Sequence, residues 1–167
     1  MVYRYNINGK LVTAFSPIEG LTPLTMTDDE AKHCIGFDEN GNPLYDQAAI
    51  QAEIDRAKEE QIAIINLNFD NDCKKVGIAL NGYFQILGSG NTIINPMFQY
   101  DDLSQQRLYR YKDISEVNFW RSVHATDPTK DNINVQLTNE QKNELYLLLI
   151  VTWASKFAEK SALIDSL

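Results

Sequence analysis

The chain has 167 residues and a formal net charge of −8, with 44% apolar and 23% charged side chains. Those proportions belong to a globular protein, and a chain this long can bury roughly two-thirds of its unfolded surface without metal or disulfide. They argue against wholesale disorder, and the acidic balance, with no cluster of lysine and arginine to override it, argues against nucleic acid as a partner.

One domain, or one domain with an appended arm, is the expectation from length. Cys34 and Cys73 are the only cysteines, fewer than a small secreted disulfide scaffold uses. Tyr3, Arg4, Tyr5 and Asn6 follow Met1 where a secretory signal would place apolar residues. Synthesis and folding in a reducing cytoplasm are therefore expected.

A hairpin is expected over residues 1–15, with Val2 to Ile7 and Lys10 to Phe15 extended around Asn8-Gly9, the preferred two-residue type I′ turn. Such a hairpin is marginal alone and must pack on the rest of the chain or on another subunit. Residues 16–45 carry Pro17, Gly20, Pro23, Gly36, Gly41 and Pro43, a density of turn formers that marks a connecting region. One short helix can start at Thr27 and run through Cys34. The acidic segment FDENGNPLYD has the look of a calcium loop. Counting from Asp38, however, Pro43 stands at the sixth position, where such a loop needs glycine. A turn ended by proline is the better reading.

Asp46 can cap a long helix through Lys75, since nothing breaks that run. Ile50, Ile54, Ala57, Gln61, Ile64 or Ile65, Phe69, Cys73 and Val76 recur every three or four residues. Up to Gln61 the apolar stripe is too thin for a helix buried in a globule. An exposed or oligomeric stalk that ends in a globular core, or a peripheral helix on a monomer, both fit. A homo-oligomer through residues 46–75 is thus one expectation about partners. In the segment FDND, from Phe69 to Asp72, the neighbouring Lys74 and Lys75 take the places a calcium loop would need.

Residues 76–112 read as β-rich. Asn81-Gly82 between VGIAL and YFQIL predicts a second hairpin. Gly88 to Asn91 reads as a loop that lacks the lysine of a phosphate cradle. Thr92 to Tyr100 reads as a strand broken at Pro96, and Asp101 to Tyr111 fits helix or strand equally. Arg110 and Lys112 alternate with Tyr109 and Tyr111. Stacking of nucleic-acid bases on such tyrosines is one reading, but a strand with tyrosines on one face and cations on the other is preferred.

The block from Phe119 to Leu167 is the clearest structural signal. It reads as a strand bearing Trp120, a turn, a short return strand and a long helix. Thr138 and Gln141 form a capping box at the helix start. Leu145, Leu148, Leu149, Thr152, Trp153, Lys156, Phe157 and Ile164 then follow helical spacing. The apolar run from Leu145 to Ala154 is about half of the ~20 residues that span a bilayer. Lys142 and Glu144 stand before it, and Lys156, Glu159 and Lys160 follow, so a buried core helix with no membrane role is expected. The fold class that results is α+β, with antiparallel hairpins or a small sheet packed by the C-terminal helix. A second long helix starts at about residue 46. The segments are 1–45 (hairpin and connecting region), 46–75 (helix) and 76–167 (α+β domain).

Catalytic motifs are not apparent. His33 and His124, the only histidines, belong to no zinc or nucleophile–base spacing. Neither a nucleophile elbow nor a dinucleotide fingerprint occurs. No catalytic, cofactor-binding or metal residue is assigned, and no cofactor is expected. An enzyme would have to assemble its site from scattered groups such as Asp101, Asp102, Arg107 and His124. Trp120 is read as a core residue near Trp153 or Phe157, with sugar stacking in a glycan- or protein-binding module as the other reading.

The phrase FQYDDLSQQRL (Phe98 to Leu108), the Trp120 strand and DNINVQLTNEQ (Asp131 to Gln141) before an aliphatic helix resemble an uncharacterised domain. That domain occurs in small tail-associated proteins of tailed bacteriophages and prophages. The resemblance covers roughly residues 50–167, and HATDPTKDN (His124 to Asn132) is inserted where the family often has a tight link. The family has no assigned activity, so the resemblance implies a context: a protein of the tail fibre or baseplate, or a fibre-assembly chaperone, in contact with other tail proteins. The lack of catalytic motifs makes a non-enzymatic role the expectation. On that reading the chain is made in the cytoplasm, and as a structural component it would end in the virion tail.

Overall fold

A computed structural model describes residues 2–167, and the fold is α+β. The chain forms two compact units, one ending at Glu60 and the other spanning Gln61–Leu167. The division falls inside a continuous helix, away from the 45/46 and 75/76 boundaries expected from the sequence.

In the first unit, strands β1 (Tyr3–Ile7) and β2 (Lys10–Ala14) pair antiparallel. Asn8 and Gly9 take φ of 53° and 78°, the two left-handed residues a type I′ turn requires. The hairpin packs on its own chain. The buried Tyr5 accepts a hydrogen bond through its hydroxyl from Ile18 N at 3.0 Å, and Arg4 reaches the Met26 carbonyl at 2.8 Å and the Asp28 carboxylate. Helix α1 (Asp28–His33) starts at a full capping box between Thr27 and Glu30. Strands β3 (Cys34–Phe37) and β4 (Pro43–Tyr45) then flank the acidic segment. Asp38 accepts from the backbone of Asn40 and Asn42, both at 2.8 Å, so the segment is a turn as expected, and Pro43 opens the following strand.

Helix α2 (Gln47–Asn71) opens where Asp46 accepts from Ala49 N at 3.0 Å. None of its residues is fully buried; beyond Gln61, where the apolar stripe widens, Phe69 packs half-buried against the core of the second unit. The helix continues into a wider π turn, Asp72–Val76, that carries the buried Cys73.

The second unit is built on two hairpins. Strands β5 (Ile78–Ala79) and β6 (Tyr83–Gln85) run along one arm, and β7 (Thr92–Ile94) and β8 (Met97–Phe98) along the other. The turn lies at Gly88 to Asn91, and the hairpin expected at Asn81-Gly82 does not form. There the chain passes straight on: Asn95 N donates to Gly82 O at 2.9 Å, and Gly82 N donates to the Asn95 side chain at 2.8 Å. Strands β9 (Phe119–Arg121) and β10 (Asn134–Gln136) form the second hairpin. It joins the first at two points, Ile86 opposite Val135 and Met97 opposite Val123.

Between the hairpins, Asp101 caps helix α3 (Asp102–Tyr111) by accepting from Ser104 N at 2.9 Å. Tyr109, Arg110, Tyr111 and Lys112 are therefore not a strand, and their alternation does not place them on two faces. Helix α4 (Asn139–Asp165) begins at the expected Thr138–Gln141 capping box. The core of this unit gathers Leu80, Phe84, Ile93, Phe98, Tyr100, Leu108, Val135, Leu137, Leu145 and Leu149, with Trp120 half-buried against it. Trp153 lies edge-on to Phe69 and stacks on Phe157 at 4.9 Å, so the aromatic partner of this end of α4 is α2.

Candidate functional site

Helix α4 is apolar on two opposite faces. Its inner face buries Leu145 and Leu149 completely. Its outer face carries Leu147 and Val151, 62% and 66% exposed, followed by the exposed Ala154 and Ala158. At 3.6 residues per turn these four fall within an arc of about 60° and extend about 16 Å along the axis. An ordinary surface helix presents polar residues there. The charged residues on that arc stand at its ends, Glu140 and Glu144 before the stripe and Asp165 after it.

The three lysines of α4 are turned elsewhere. Lys142 is fully buried and donates to the carbonyls of Tyr111, Ile114 and Val117 at 3.2, 2.6 and 2.7 Å. Burial pushes its pKa down, while the Asp113 and Glu116 carboxylates act in the opposite sense. Lys156 pairs with Glu159 at 2.8 Å, and Lys160 sits 4.8 Å from the rings of both Phe69 and Phe157. In the sequence Lys142 stands with Glu144 before the apolar run. Its place three residues before Leu145 and seven before Leu149 is the signal that it shares their inward face.

A cleft of about 630 Å³ is bounded by Phe69, Asp70, Cys73, Lys74, Gln99, Asp101, Asp102, Leu103 and Trp153. Of the scattered groups considered for catalysis, it brings Asp101 and Asp102 together. Both carboxylates are committed: Asp101 to the α3 cap, and Asp102 to the Gln106 amide at 2.8 Å. Arg107 is an exposed residue of α3. His124 belongs to the β9–β10 loop, where its Nδ1 accepts from Asp127 N at 3.1 Å and its own N–H donates to Asp131. Cys73 at the cleft floor is a poor nucleophile, since burial pushes its thiol up to about 11. Burial raises the pKa of Tyr100 as well.

His33 and Glu53 come within 3.1 Å in the first unit, and Lys32 also binds Glu53. Those two partners hold the Glu53 carboxyl below its usual pKa, Lys32 with the larger effect. A groove of about 350 Å³ lined by Tyr83, Gln85, Asn118, Gln136 and Gln141, with others, was not legible in the sequence, because its four amides come from β6, the approach to β9, β10 and the start of α4. Among the described residues no cluster of His, Cys, Asp and Glu could hold a metal ion, and no helix is long and apolar enough to cross a membrane. No protein-family model matches the chain, and no curated protein or solved structure does either.

Proposed function

We propose that this chain is a non-enzymatic, tail-associated protein of a phage or prophage. It serves as a tail-fibre or baseplate component, or as a chaperone of fibre assembly, through contacts with other tail proteins. The observation that carries the contact role is the uncovered apolar face of α4, whose Leu147 and Val151 are 62% and 66% exposed. Apolar area of that kind on a helix marks a surface made to be covered.

The tail context is supported by the resemblance set out above. Phe98, Leu108, Val135 and Leu137 belong to the core of the second unit, and Thr138 and Gln141 cap α4. The resembling phrases therefore belong to the residues that specify a fold.

Self-association along α2 accompanies this reading. Ile54 and Ile64, 46% and 58% exposed, flank Ala57 and Gln61 at the alternating three- and four-residue spacing of a coiled-coil seam. Sedimentation of the wild type against Ile64→Glu tests that seam, with a fall in mass expected for the variant.

Mass spectrometry of purified particles and of the lysate after induction tests the tail reading. Stoichiometric peptides in particles identify a structural component, and peptides confined to the lysate in complex with a tail protein identify a chaperone. Induction that yields particles and expresses the chain, with no tail protein bound to it, overturns the reading.

A further inference from the structure

We infer that the outer face of α4 is the docking site for an amphipathic helix of another protein, one whose apolar stripe is bracketed by lysine or arginine. The inference rests on the contact role proposed above and not on the tail context. Leu147, Val151, Ala154 and Ala158 repeat at intervals of four, three and four residues, the anchor spacing through which one helix reads another. The two alanines remove side-chain bulk at one end of the stripe, so a partner backbone can approach there while Leu147 and Val151 insert at the other.

Charge selects among the occupants. Along the arc stand Glu140, Glu144 and Asp165, while the lysines lie off it: Lys142 on the Ile114 carbonyl, Lys156 on Glu159 of the same helix and Lys160 over Phe69. A second copy fits poorly in either direction. Parallel pairing sets Glu140 and Glu144 against themselves, and antiparallel pairing sets Glu140 near Asp165. An anionic lipid surface is repelled by the same carboxylates. A helix with cations at both ends of its stripe answers the acidic termini and gains long-range attraction on approach.

The test places a photo-crosslinking side chain at Val151, and at the exposed Glu39 as control, in the full chain expressed from its own locus. The crosslinked peptide is then sequenced. The expected product is a segment of a different protein with apolar residues at helical spacing and lysine or arginine beyond both ends. A synthetic copy of that segment binds the wild-type chain, and Val151→Glu weakens binding at least tenfold with an unchanged melting curve. A crosslink to this chain itself, a segment lacking the flanking cations, or a yield at 151 no higher than at 39 overturns the inference. A qualifying partner that is no tail protein leaves this inference standing and removes the tail reading.

Discussion

The Lys142 ammonium donates to the Ile114 carbonyl at 2.6 Å across 28 residues of chain. With the Tyr111 and Val117 carbonyls it draws the end of α3 and the following turn onto the first turn of α4. Hydrogen bonds from a charged donor are worth more than neutral ones, and three of them offset the desolvation of a buried ammonium. Lys142→Met keeps the apolar stem and removes all three. It is expected to lower unfolding free energy by about 2–4 kcal/mol. Urea titration measures the loss, and hydrogen exchange is expected to speed up in residues 111–117 first.

Gly77 has φ of +73°, and a β-carbon there meets the Phe98 carbonyl oxygen at 2.6 Å. The strand of Phe98 is fixed by its pairing with Ile78, so the neighbour cannot give way. Gly77 combines that φ with a ψ of −170°, a region essentially restricted to glycine, so Gly77→Ala is expected to cost more than the ~1–2 kcal/mol of an ordinary left-handed residue. Gly88→Ala, at φ of +78° with open space around it, is expected to cost only that backbone amount. Equal shifts in melting temperature for the two variants would contradict the tight approach at Gly77.

The cysteines differ in reach. Cys34 is partly exposed, whereas Cys73 is 2% exposed with its thiol pushed up to about 11. At pH 8 only about one Cys73 in a thousand is thiolate. A thiol reagent is expected to modify one cysteine promptly in the native protein and the second only on unfolding. Mass mapping is expected to place the early label on Cys34.

Acid sensitivity follows from carboxylates that accept hydrogen bonds. Lys32 and His33 lower the pKa of Glu53 from its ordinary 4.5, and Lys112 lowers that of Asp113 from 3.8. Thr129 does the same for Asp127, and Asn42 for Asp38. Each group binds its proton more weakly when folded than when unfolded. The stability it contributes is therefore complete above the ordinary carboxylate values and is lost as pH falls through the lowered ones. The denaturation midpoint is expected to hold steady from pH 7 to 5 and to drop below pH 4. Glu53→Gln is expected to show a shallower drop, read from urea titrations at each pH.

Elements defined by local chemistry were legible in the sequence: the Asn8-Gly9 turn, the helix start at Thr27 and the Thr138 capping box. Each is decided within four or five residues of chain. Asn81-Gly82 carries equally good turn chemistry and makes no turn, because distant pairing decides there. Asn95, at φ of 48°, receives Gly82 N and holds the chain extended, and Gly88 and Gly90 supply the left-handed residues of the actual turn. Helix and strand were balanced for Asp101 to Tyr111 because the tyrosine and cation pattern fits both periods. The Asp101 cap on Ser104 and the inward Leu108 decide it. Lys142 was hidden by its residue type, since lysine is almost never fully buried unless partnered. The outer stripe of α4 was part of an apolar run assigned wholly to the core.

The central proposal, a tail role exercised through the covered outer face of α4, is tested most directly by complementation. Cells that carry the gene are stripped of it, supplied with wild type or Val151→Glu, and induced, and infectious particles are counted. The account predicts a variant with wild-type abundance and melting behaviour and a titre reduced at least tenfold. A wild-type titre from the folded variant would contradict it.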